Sequence, residues 1–148
     1  MWHGTFLTKD FSEQMKHRHS VLLLVVAALL LFACGGKTDK DPSEMVGRTA
    51  KLYYDNLLHG HYEEFVDGHF RSDSIPASYR SQLIDNMRMY VGQQNDEHHG
   101  IQEVRIVRAT ADTARHEGNA FLLLCFKDST KEEVVVPMVH VGGLWMMK

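Results

Sequence analysis

The sequence predicts an α+β fold in which N-terminal helices pack into a strongly curved antiparallel sheet, giving a cone. Three observations lead there. Apolar residues recur at helical spacing from residue 42 to about residue 91. After Gly100 the period shortens toward two, and turn residues divide the remaining chain into strands. Helices first and a meander second is the order of an α+β domain, not of alternating βαβ units.

Ahead of the first helix, Val21–Phe32 runs for twelve residues without a polar side chain, behind the basic flank Lys16-His17-Arg18-His19. As a helix this run would measure about 18 Å at ~1.5 Å per residue, short of the about 20 residues that span a bilayer. Its length and flank fit the apolar region of a secretory signal peptide. A buried core helix would need neither the basic flank nor the abrupt polar exit. Leu31-Phe32-Ala33-Cys34 resembles the bacterial lipobox, with Phe32 bulkier than is usual at its position. That resemblance implies that Cys34 is acylated and becomes the first residue of the mature chain. Two or more acyl chains anchor a protein stably, each buried CH₂ contributing ~0.8 kcal/mol. Residues 1–14 carry Asp10 and Glu13, which fit no part of a signal peptide, so translation is expected to begin at Met15. The expected organisation is a leader over 1–33 (signal peptide 15–33), a lipid-anchored linker over 34–41 and one domain over 42–148. The expected location is the cell envelope, on the outer membrane, facing the periplasm or the exterior. Lys37–Asp41 loosely resembles the acidic export tag of surface lipoproteins, and reads equally well as a solvated linker.

Without the leader the chain loses three of its 16 Lys/Arg and two of its 19 Asp/Glu, leaving 13 against 17 and a formal charge of −4. No basic patch with interleaved aromatics is present, which argues against a nucleic-acid partner. With Cys34 acylated, Cys125 has no disulfide partner and reads as a small buried hydrophobe in Phe121–Phe126.

The elements follow in order. Asp41-Pro42-Ser43-Glu44 is a helix start, with Asp41 as cap and Pro42 at the first helical position. Val46, Ala50, Tyr53/Tyr54 and Leu57 form its apolar stripe, and Gly60 suits a left-handed stop. A shorter helix carries Tyr62, Phe65 and Val66. Pro76 opens a third, striped by Tyr79, Leu83, Met87 and Tyr90/Val91, and Gly92–Gly100 reads as a polar loop. The strands are expected at 101–110, 114–127, 134–141 and 144–147, with turns at 111–113, 128–130 and 142–143. Pro137 implies an edge or a bulge within the third strand.

Pro42-Ser43-Glu44, Gly60–Glu64, Asp112-Thr113-Ala114, Phe126–Thr130, Val136–Val139 and Gly143-Leu144-Trp145 together resemble small lipoproteins of the nuclear transport factor 2-like (NTF2-like) superfamily, the cystatin-like or ketosteroid-isomerase-like cone. The match runs over roughly 42–148 and rests on structural motifs. It implies a pocket between helices and sheet. In enzymes of the superfamily an acid or a histidine there moves a proton, with a tyrosine or protonated aspartate aiding an oxyanion.

The residues expected to line such a pocket are Tyr54, Tyr90, His140 and Trp145. No strand carboxylate sits in apolar surroundings; Glu103, Glu117, Glu132 and Glu133 all read as solvated. A zinc site needs three or four converging ligands, and neither the His59/His61 pair nor the His98-His99 pair supplies that spacing. The sequence therefore gives no catalytic set, no metal and no cofactor. It points to a tethered, non-enzymatic binding domain for a small apolar ligand or a protein, expected to form a homodimer through its sheet. The alternatives are an isomerase or cyclase using the cone pocket, and a structural envelope protein.

Overall fold

The computed structural model describes residues 41–148, which lie in a compact unit of their own. The expected lipidation site, Cys34, lies outside the described residues. Three helices come first: α1 (Pro42–Leu58), α2 (Tyr62–Asp67) and α3 (Ala77–His98). Four strands follow, β1 (Ile101–Asp112), β2 (Glu117–Phe126), β3 (Lys131–Val141) and β4 (Leu144–Met147), in one antiparallel sheet of order β1-β2-β3-β4. The α+β cone expected from the periodicity is the fold observed. Among the described residues no helix is long and apolar enough to cross a membrane.

α1 starts where its cap chemistry demands. The Ser43 amide donates to Asp41 Oδ1 at 3.0 Å, satisfying one of the otherwise orphaned first-turn amides. Glu44 pairs with Arg48 one turn on, and no bond returns it to the cap. The helix stops at Gly60, whose φ of +80° is the left-handed conformation a glycine tolerates. One face of α1, carrying Val46, Ala50 and Leu57, is buried against Val104, Leu122, Leu124, Val136 and Met138 of the sheet. Gly118 makes the close seating possible. A Cβ there would lie 2.8 Å from both the Thr110 carbonyl and the Val46 side chain.

The sheet bends where β1 slips register against β2, between Ile101 and Glu103 and again between Ile106 and Arg108. Along β2, Gly118, Ala120, Leu122 and Leu124 are buried against the helices, while Cys125 on the outer face is 8% exposed. Pro137 sits where its missing N–H costs least. Its carbonyl accepts from the Lys148 amide at 2.9 Å, so its nitrogen faces the end of β4, beyond that strand's pairing. The free side of β4 is covered by the segment after α2: Met147 donates to the Gly68 carbonyl at 2.9 Å, and Phe70 donates to that of Met147 at 2.7 Å.

Several boundaries differ from those expected. Gly92–Gly100 is not a loop; α3 runs through Gly92 to His98. Gln93 and Glu97 bond across one turn at 2.8 Å, and Gln94 is buried, so polar residues continue the helix without an apolar stripe. His99, at φ +60°, ends it. The first hairpin turn also lies later. β1 continues through Ala111-Asp112 and the reversal occupies 113–116, because Asp112 Oδ1 accepts the amides of Ala114 and Arg115, both at 3.1 Å. β3 begins at Lys131, three residues early, paired to Cys125.

Candidate functional site

A cleft of about 390 Å³ opens where the first turn of α1 meets the far end of the sheet, lined by Pro42, Met45, Thr113, His116, His140, Gly143 and Trp145. Its volume lies near the lower bound of ordinary small-molecule sites, ~300–1,000 Å³. His140 and Trp145 are directly opposed on β3 and β4, and their rings lie 5.0 Å apart at 44°. The His116 ring continues the row, 6.2 Å from that of His140 and inclined by 26°. Trp145 is buried, and its carbonyl accepts the Tyr53 hydroxyl of α1 at 3.1 Å, which ties this wall to the helix.

His116 reaches this row through an unfavourable backbone. Its φ is +56° at the end of the β1–β2 turn, a position that favours glycine. The conformation is secured by Asp112 within the turn and by the His140 amide, which donates to the His116 carbonyl at 2.8 Å. A non-glycine residue held in this region is a place to look for function.

The four residues expected to line one pocket separate into two groups. His140 and Trp145 line the cleft. Tyr54 packs edge-on against Phe65 at 5.4 Å, and burial, reinforced by nearby Tyr90 and Glu132, pushes its hydroxyl up to about 12. Burial and then Glu132 likewise raise Tyr90, which borders a shallow hollow with Asn86, Met89 and Gln93 on α3. Both phenols therefore stay protonated at neutral pH. Glu103, Glu117, Glu132 and Glu133 are exposed, as expected from their surroundings in the sequence. Among the described residues, no Asp or Glu lines the cleft and no three His, Cys, Asp or Glu side chains cluster as a metal site would require.

Sequence reasoning missed His116, Met45 and Thr113. The placement of a strand from Ala114 hid His116 inside β2. Asp112 as an acceptor for the next two or three amides was the signal that moves the turn and brings His116 beside His140.

No family model and no curated relative matches the chain. A solved structure of a candidate NTF2-like transpeptidase from Campylobacter jejuni aligns with a TM-score of 0.54 at 14% identity, over 68% of this chain and 94% of that one. The fold is NTF2-like. A candidate calcium/calmodulin-dependent protein kinase II association domain from Xanthomonas campestris aligns with a TM-score of 0.43 at 15% identity, over 76% of this chain and 87% of that one. At 14% identity the likeness to the Campylobacter jejuni structure is one of fold, and an NTF2-like cone hosts unrelated activities, so function has to be argued from the site.

Proposed function

We propose that residues 42–148 are a non-enzymatic binding module that takes a small ligand into the His116–His140–Trp145 cleft. An acylated Cys34 would hold it at the outer membrane of the cell envelope. The observation that carries this reading is His116. A left-handed turn position that glycine would fill at lower energy instead presents an imidazole to a cleft walled by His140 and Trp145. Flat apolar compounds suit such a wall, since aromatic faces hold them by stacking.

The isomerase or cyclase alternative has less support, because among the described residues no carboxylate lines the cleft and the strand glutamates are exposed. The transpeptidase activity named for the Campylobacter jejuni protein also gains little support here: Cys125 is buried on the opposite face of the sheet. A thermal-melt screen of Gly36–Lys148 with steroids, sugars and acyl compounds tests the binding reading. A ligand that raises Tm, changes Trp145 emission and is weakened by His116→Gly is expected. No stabilisation across the set would remove the small-ligand reading and favour a structural role. For the anchor, Cys34→Ala should abolish palmitate incorporation and release the protein from membranes; continued acylation would refute it.

The outer face of the sheet supports a homodimer. By strand alternation it carries Phe121, Leu123, Val135, Pro137, Val139, Val141, Leu144 and Met146, of which Leu144 is 67% and Val135 53% exposed. Arg105, Leu123 and Glu133 lie in one row across β1, β2 and β3. A two-fold axis along β2 would set Arg105 of each copy over Glu133 of the other. Sedimentation of Gly36–Lys148 should give a dimer that Val135→Lys converts to a monomer; a monomeric parent domain would refute this assembly.

A further inference from the structure

We infer that the ligand of this cleft is a flat aromatic acid, its ring seated on the apolar lining and its carboxylate received by the N–H groups of Trp145, His140 and His116. The inference rests on reading the cleft as a site for a flat compound, and specifies the polar group that such a compound carries. Pro42, Met45 and the faces of the three rings suit an apolar ring system. The polar part of the lining is biased toward donors. An indole nitrogen only donates, an imidazole keeps one N–H donor in either tautomer, and the Thr113 hydroxyl donates as readily as it accepts. Among the described residues no Asp or Glu, whose charged forms only accept, stands in the lining.

Trp145 carries the argument furthest. It is only 8% exposed, and its backbone carbonyl is taken by Tyr53, yet its indole N–H donates to no described residue. Among the described residues no side-chain nitrogen or oxygen is both sealed from solvent and without a partner. The indole nitrogen therefore opens to water, and the cleft is the opening that Trp145 lines. The ring nitrogens of His116 and His140 likewise bond to no described side chain or backbone group. A ligand that enters displaces the water at these donors, and loses affinity unless it supplies an acceptor in its place. The three rings stand side by side on one face of the sheet. His140 and Trp145 are opposed on β3 and β4, with centroids 5.0 Å apart, and the His116 ring follows at 6.2 Å, inclined by 26°. Such a row offers neighbouring ring edges, each with its own donor. A lone carbonyl oxygen would serve one of them, whereas a carboxylate, with two oxygens and about four lone-pair sites, can lie across the row. Its charge also strengthens each bond it accepts.

The test uses Gly36–Lys148, in which Trp145 is the single tryptophan, so that one indole N–H signal appears in its nitrogen–proton spectrum. Naphthalene-2-carboxylate should move this signal downfield to saturation and bind at least about tenfold tighter than naphthalene-2-carboxamide, which has the same ring without the charge. Cyclohexanecarboxylate, with the charge and no flat ring, should bind more weakly than naphthalene-2-carboxylate. His116→Phe and His140→Phe each keep a flat ring and remove the N–H. Each should lower the preference for the acid over the amide, and the double variant should bring it near one, while the affinity for the amide holds and far-UV circular dichroism stays unchanged. His140→Gln, which returns a donor, should recover part of the preference. An amide bound as tightly as the acid overturns this inference and leaves the cleft as a binding site. A preference that survives the double variant, or an acid that binds without moving the indole signal, overturns it too. If neither naphthalene compound moves that signal, the reading of the cleft fails together with the inference.

Discussion

α1 and α3 are both long helices on the same sheet, yet they are held in different ways. α1 spans 17 residues and buries Val46, Gly47, Ala50 and Leu57 in the core. α3 spans 22 residues and buries only Ile84 and Gln94. What α3 lacks in apolar burial it has at its ends. Near its start, Arg80 grips the Asp67 carboxylate of α2 with two bonds, at 2.9 and 2.6 Å. At its finish, His98 meets Asp128 at 2.8 Å, and the Lys127 amide donates to the Gly100 carbonyl at 3.0 Å. Burial scales with area and resists water, whereas exposed ion pairs contribute little and weaken with salt. The helix that frames the cleft is therefore fixed by the core, and the helix beside the Tyr54–Tyr90 cluster is fastened at two points.

Cutting the core should show the largest difference. Leu124 is fully buried beneath α1, and Leu124→Ala is expected to cost about 3–5 kcal/mol. In a domain of this size each kcal/mol shifts Tm by about 4–8 °C, so the variant should melt well below the parent. Met89→Ala on α3 removes a side chain that is 72% exposed and should stay within about 0.5 kcal/mol. Equal losses in the two melts would refute the contrast.

A smaller effect is expected where α3 does reach the core. Ile84→Ala should cost about 1–2 kcal/mol, below the usual range for a buried isoleucine, since Ile84 is 9% exposed and stands outside the main hydrophobic cluster. Hydrogen exchange sharpens the point. The α3 amides should open by local fluctuation and exchange ahead of those of α1, and Ile84→Ala should widen the gap. Simultaneous exchange of both helices would mean that α3 is as much a part of the core as α1.

The same contrast explains what could be read in the sequence. α1, β2 and β3 were legible because burial writes a period: Val46, Ala50 and Leu57 recur at helical spacing, and Phe121–Phe126 is apolar throughout. The last two turns of α3 were not, because Gly92–His98 is held by a side-chain pair, a buried glutamine and the contacts of its C-terminus, none of which leaves an apolar stripe. His140 and Trp145 could be placed near a pocket because both stand on the inner face of predicted strands. His116 could not, since its place depends on the hairpin reversing at 113–116, with β2 starting at Glu117 and not at Ala114, and on a left-handed backbone that periodicity does not signal. Tyr54 and Tyr90 have the periodicity of pocket residues, but burial against Phe65 and beside Glu132 makes them part of the packing at the other end of the sheet.

The smallest effect should come from the pair that fastens the end of α3. The Thr130 hydroxyl, then His98 and the Thr130 amide, stabilise the charged form of Asp128 and lower its carboxyl to about 2. An unfolded aspartate titrates near ~3.9. A carboxyl depressed on folding stabilises fully above the unfolded value, and this contribution is lost as the pH falls through the folded one. Asp128→Asn should therefore melt slightly below the parent at pH 5, with the gap narrowing below about pH 4 and closing as the pH approaches the folded value of about 2. Because the carboxylate is exposed, added salt should shrink the gap at pH 5 as well. The substitution should also speed amide exchange in the last turn of α3 while leaving α1 unchanged. A gap independent of pH, or one shared by the α1 amides, would mean that Asp128 contributes to the core and not to a fastening at the helix end.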